Sequence, residues 1–197
     1  MIDNFELIDP LFYFNEANDM FFFCQLIVRG KDHKDEKVPL KIIKTYFVTS
    51  RDHLKALKDE IVLLCEHHGA RAYINVAGKD FGVVQKNMLY RLAEYNLSDT
   101  VVHPFRILNK IASECKSRSP RWVVDIDDIT LEDKIRSWLI KYFGDEYHIW
   151  STIPTVHGVH LITSPFNLQE FNQVFPDVDV HKNAAGTLLY FPNSIQI

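Results

Sequence analysis

The stretch Arg121-Trp122-Val123-Val124-Asp125-Ile126-Asp127-Asp128 joins a β-branched, apolar run to a set of carboxylates. Such a run predicts a short buried strand. Successive side chains of a strand point to opposite faces, so Asp125 and Asp127 share one face while Val124 and Ile126 take the other. Two carboxylates on one face repel each other unless a cation sits between them, and oxygen ligands of this kind suit Mg²⁺ or Mn²⁺. The competing account is a strand end fraying into an acidic turn, with Asp128 capping a helix that Thr130 opens.

Outward from this strand, elements of both kinds alternate irregularly. Phe21–Arg29 and Lys41–Thr49 are aromatic and β-branched, hence strands, and the charged run Lys31–Lys37 between them reads as a solvated hairpin loop. Ser50 is an N-cap for a helix with Leu54, Leu57, Ile61 and Leu64 at helical spacing, and Gly69 ends it. Arg71–Val76 reads as a strand; Phe81–Tyr95 and Pro104–Cys115 read as helices. Beyond the acidic strand come a helix at Thr130–Phe143 stopped by Gly144, two paired strands at Tyr147–Ile153 and His157–Thr163, a short helix near Asn167–Phe171, and a last strand at Thr187–Phe191. The expected class is α+β: one compact domain with a mixed or antiparallel sheet. Ser117–Pro120 (SRSP) is the only candidate linker.

Composition narrows the function classes. At roughly 150 residues per domain, 197 residues make one domain that needs no disulfide or metal staple. Lys and Arg number 22 against 26 Asp and Glu, a net charge of −4, which argues against coating duplex DNA by charge alone. Cys24, Cys65 and Cys115 lack CxxC spacing, acids stand where a leader peptide carries positive charge, and no stretch approaches the ~20 apolar residues of a membrane span. A cytoplasmic protein with no membrane partner is expected.

Two further motifs follow the acidic strand. In Thr155-Val156-His157-Gly158-Val159-His160-Leu161-Ile162-Thr163, a glycine leads an imidazole onto a strand, and Gly158 lets a ligand backbone or phosphate approach closely. His160 can then bond a phosphate oxygen. Its bland alternative is a core histidine satisfied by a neighbour. In Asp177-Val178-Asp179-Val180-His181-Lys182, Asp179 can add a third carboxylate and Lys182 can meet a phosphate as a point charge; the alternative is an acidic loop before the final strand.

In this order, the three motifs resemble the archaeo-eukaryotic primase superfamily, the primase–polymerase catalytic domain, in its small phage and mobile-element form. That family has a DxD on a strand, a small-residue turn leading to a histidine on a strand, a further acidic residue, and a strand ending near a proline. Here these are Asp125 and Asp127, Gly158–His160, Asp179, and Leu188–Pro192. The likeness runs from Arg121 onward; Tyr190 stands where the family often has an arginine. The resemblance implies an RRM-like catalytic core in residues 119–197 with an α/β companion lobe in residues 1–118. It also implies template-directed nucleotidyl transfer in replication with two Mg²⁺ or Mn²⁺ ions held by Asp125, Asp127 and Asp179. His160, with Gly158 and Lys182, would meet the nucleoside triphosphate. Single-stranded DNA would serve as template, and a helicase or other replication proteins would be partners. Two alternatives remain: VVDIDDIT also resembles the opening of haloacid-dehalogenase-type phosphatases, and the acids could be structural in an inactive nucleic-acid-associated domain of a mobile element.

Overall fold

The computed structural model describes residues 1–14, 19–32, 39–98, 101, 103–115, 117, 119–182 and 186–195. Most of the charged run at 31–37 and part of the SRSP stretch therefore lie outside the described residues. In chain order the elements are β1 (Ile2–Asp3), α1 (Phe5–Ile8), β2 (Met20–Val28), β3 (Lys41–Val48), α2 (Arg51–His68), β4 (Arg71–Asn75), β5 (Lys79–Asp80), α3 (Phe81–Leu97), α4 (Pro104–Glu114), β6 (Trp122–Ile126), α5 (Glu132–Phe143), β7 (Ile149–Pro154), β8 (Val159–Thr163), α6 (Leu168–Val174), β9 (Asp179–His181) and β10 (Gly186–Phe191). Every pairing among the described strands is antiparallel, so the chain is an α+β protein with antiparallel sheets and six described α-helices.

Local chemistry sets several of these boundaries. The Ser50 side chain accepts from the His53 N–H, and Gly69 closes α2 at φ 58°, a left-handed position that glycine takes without steric cost. Asp80 caps α3 in the same way through the Val83 N–H. Asp128 does cap, as the bland account of the acidic strand requires: its Oδ1 accepts from the Thr130 N–H and hydroxyl at 3.0 and 2.7 Å. The capped turn is 3₁₀, and α5 starts only at Glu132, two residues later than the sequence suggests.

The strands form two sheets. One has the order β1-β10-β4-β2-β3 with β5 on β2; the other has the order β7-β8-β6-β9. In the four-stranded sheet, Val124, Ile126 and Leu161 face Ile135 and Leu139 of α5 and Phe171 of α6. Complete burial of Phe171 alone contributes about 1.5–3 kcal/mol. The opposite face carries Val123, Ile153 and Ile162 into a core shared with Phe22, Leu26, Ile74 and Leu189 of the larger sheet. Asn4 adds a polar tie, donating Nδ2–H to the carbonyls of Pro154 and Leu188, both at 2.8 Å.

A division at residue 118 does not follow the sheets. β10, near the end of the chain, pairs between β1 and β4, so the late segment completes the early sheet. β9 belongs to the smaller sheet and β10 to the larger, so the chain changes sheet just after the third motif.

Candidate active site

The chemistry of the acidic strand follows from its central place. β6 runs between β8 and β9, and Asp125 is in register with His160 on one side and Asp179 on the other. Side chains at paired positions share a face, so the first carboxylate of the DxD, the histidine and the late acid form one row. His181, two residues past Asp179, joins the same face.

His160 Nε2 lies 3.2 Å from Asp125 Oδ1, and His181 Nε2 lies 3.8 Å from Asp125 Oδ2. The other nitrogen of His160 is 2.9 Å from the Thr187 hydroxyl, which is buried on β10 of the larger sheet. With Nε2–H donating to the carboxylate, Nδ1 and the Thr187 hydroxyl share the second bond, whose direction follows the ring's tautomer. His160 is only 7% exposed, so its partners are already fixed. The bond to His160 and then the nearby His181 imidazole hold the Asp125 carboxyl well below the usual carboxylate range, against the opposing effect of partial burial. The Asp125 carboxylate in turn raises the His181 imidazole above its ordinary value.

Asp127 and Asp179 are exposed and line, with Asp125, His157 and His160, a cleft of about 410 Å³. The opposite wall comes from the larger sheet: Arg29, Arg71 and Tyr73. Arg71 is buried and bonded through Nε to Asp32 Oδ2 at 2.7 Å, with its guanidinium over the Phe191 ring. Arg29 donates from Nη1 to the Tyr73 hydroxyl at 2.8 Å. Among the described residues no group of three or more His, Cys, Asp or Glu is disposed to hold a metal ion.

Two expected site residues act differently. A Cβ at Gly158 would stand 1.9 Å from the Ile126 carbonyl oxygen and 3.0 Å from the Asp127 Cα. The close approach that this glycine permits is therefore to β6, not to a ligand. Gly158→Ala is expected to push the 155–158 turn away from the acidic strand and cost about 1–3 kcal/mol, the usual range for overpacking; a thermal melt indistinguishable from wild type would contradict this contact. Lys182 does not line the cleft. Its ammonium lies 5.0 Å above the Trp122 ring, on the α5–α6 side of the sheet.

Sequence reasoning passed over His181, Thr187, Arg29, Arg71 and Tyr73. A signal existed for His181, since an Asp-x-His pair on a strand shares a face. For the others the signal is pairing between distant strands. No family model, curated protein or solved structure matches the chain.

Proposed function

We propose that the chain is a primase–polymerase-type nucleotidyl transferase that joins nucleoside triphosphates along a single-stranded DNA template, with Mg²⁺ or Mn²⁺. The observation that carries this is Asp125 and His160 side by side on adjacent strands, 3.2 Å apart, in a cleft that also exposes Asp127 and Asp179. The order β6-α5-β7-β8-α6-β9, laid out as β7-β8-β6-β9, is the split βαβ arrangement and supports an RRM-like core. The six-stranded sheet with α2, α3 and α4 then serves as the companion lobe.

Asp125, Asp127 and Asp179 offer only oxygens, the donors that hard divalent cations take; because the described residues do not bring three such groups together, triphosphate and water oxygens would have to supply much of the coordination. When bound, the ions neutralise the triphosphate and activate the attacking hydroxyl. Both Asp125 oxygens face histidines, at 3.2 and 3.8 Å, so holding a cation would require Asp125 to turn from one of them; the His160 Nε2–H, once released, would donate to a phosphate oxygen in the same cleft. Thr187 holds the ring in place while it does so.

Dehalogenase-type phosphatases carry their acidic pair after a strand of a parallel sheet, so the antiparallel pairing on both sides of β6 favours nucleotidyl transfer. The burial of His160 favours a purely structural role for that ring, and one variant separates the two. His160→Ala is expected to weaken calorimetric binding of nucleoside triphosphate with Mn²⁺ about 10–150-fold, equivalent to about 1.5–3 kcal/mol for a charged hydrogen bond. A variant that melts lower yet binds nucleotide as wild type does would assign His160 to the core alone.

A further inference from the structure

α3 carries apolar residues on two faces. Val84, Met88, Leu92 and Tyr95 recur at helical spacing and pack, with Ile107 and Ile111 of α4, against Phe21 and Phe23 of β2. The outer face of such a helix is ordinarily polar. Here Leu89, Tyr90 and Leu97 stand on it, 62%, 61% and 85% exposed, beside Val83 and Ala93, which are exposed as well. Val83, Tyr90 and Leu97 are seven residues apart, so they fall close to one line along the outside of the helix. An exposed apolar stripe of this kind marks a contact surface.

Charge along this line is arranged about Tyr90. Lys86 lies four residues before it and Glu94 four after; Val83 lies seven before and Leu97 seven after. A second copy of the helix, laid antiparallel with the two Tyr90 side chains at the crossing, sets Lys86 against the partner's Glu94 and Val83 against the partner's Leu97. Parallel pairing in register would instead set lysine against lysine and glutamate against glutamate, which repel. Glu94 already holds Arg91 of its own helix at 2.9 Å, with both side chains more than half exposed and open to a further charge. Beside Tyr90 a groove of about 430 Å³ runs between α3 and α4, walled by Val83, Tyr90 and Glu94 on one side and by Ile111 and Glu114 on the other. The groove gives the ring of the partner's Tyr90 a place to lie.

We infer that α3 is the contact of a two-fold dimer, in which a second copy of this chain lays its own α3 antiparallel across the line of Val83, Tyr90 and Leu97. Each surface then meets its own copy, the isologous contact that a two-fold axis requires. Removal of Leu89, Tyr90 and Leu97 from water drives association, and the two Lys86–Glu94 pairs at the flanks set direction and register. α3 has 17 residues, about 25 Å of helix. A contact of that length falls at the small end of protein interfaces, below about 1,200 Å², so the dimer dissociates in the micromolar range. The surface shares no residue with the carboxylate cleft, and the dimer does not rest on nucleotidyl transfer.

Sedimentation equilibrium of the full chain, from about 1 to 300 µM, is expected to show monomer and dimer in exchange. Tyr90→Asp, at an exposed position, sets two like charges on the axis and is expected to weaken the dimer at least about tenfold, with a thermal melt close to that of wild type. Lys86→Glu alone and Glu94→Lys alone each bring like charges together and are expected to weaken it about tenfold. An equimolar mixture of those two variants is expected to regain association as a heterodimer, because opposite charges meet again. Wild type that stays monomeric throughout the range would overturn the dimer and leave the stripe to a different partner. A dimer unmoved by Tyr90→Asp would put the contact on another surface, and charge variants that associate as wild type does would overturn the antiparallel register.

Discussion

Asp125→Asn is expected to abolish nucleotide-dependent Mn²⁺ binding and to lower nucleotidyl transfer by about two to three orders of magnitude, the usual loss when one preorganised electrostatic partner is removed. Asn has the shape of Asp, so the strand and its register should survive; what disappears is the charge. The same variant has a stability signature with a definite sign. The folded pKa of Asp125 is depressed, so its contribution is present above the unfolded value near ~3.9 and is lost as pH falls through the folded value. The folded pKa of His181 is raised, so its contribution is full below its unfolded value near ~6.5 and is lost as pH rises through the folded value. The difference in melting temperature between wild type and Asp125→Asn should therefore be widest between about pH 4 and 6.5 and narrow on both sides. In the variant the His181 imidazole should titrate lower by NMR. Undiminished Mn²⁺ binding, or an unmoved His181 titration, would remove Asp125 from the role assigned to it.

Asp32→Ala is the change expected to cost most stability. Asp32 and Arg71 are both buried, and the guanidinium is fixed between that carboxylate and the Phe191 ring. Removing one member of a buried pair leaves an uncompensated charge, at a cost of about 3–5 kcal/mol. Replacing both with apolar residues, as in Asp32→Leu with Arg71→Met, should recover much of the loss, because the desolvation of both charges disappears together. Chemical denaturation of the single and double variants measures both quantities. A loss below about 1 kcal/mol in Asp32→Ala would mean that the pair behaves as an exposed one.

The contrast between Asp125 and Lys182 shows what was legible in the sequence. Strand parity alone put Asp125 and Asp127 opposite Val124 and Ile126, and the described packing of Val124 and Ile126 against α5 and α6 agrees. Parity also separates His181 from Lys182, which are neighbours in the chain and so must face opposite sides; once Asp179 lines the cleft, Lys182 cannot. The caps at Ser50, Gly69 and Gly144 were legible because capping depends on residues within one turn.

Pairing between distant strands was not legible. Thr187 meets His160 only because β10 leaves the sheet of β9 and inserts between β1 and β4, a choice made by long-range packing. Gly158 carried the right signal, a close approach, but the partner is the Ile126 carbonyl of a strand some thirty residues earlier. Arg29, just past β2, and Arg71 and Tyr73, which alternate along β4, belong to a face that becomes a wall only once the second sheet stands across from it.

The central claim is that the row of Asp125, His160 and Asp179 serves nucleotidyl transfer. The most direct measurement is extension of a labelled primer on a single-stranded DNA template by the full chain, with Mn²⁺ and nucleoside triphosphates, beside the Asp125→Asn, Asp127→Asn double variant. Template-dependent products from wild type and none from the double variant are expected; no products from wild type, or products undiminished in the double variant, would contradict the account.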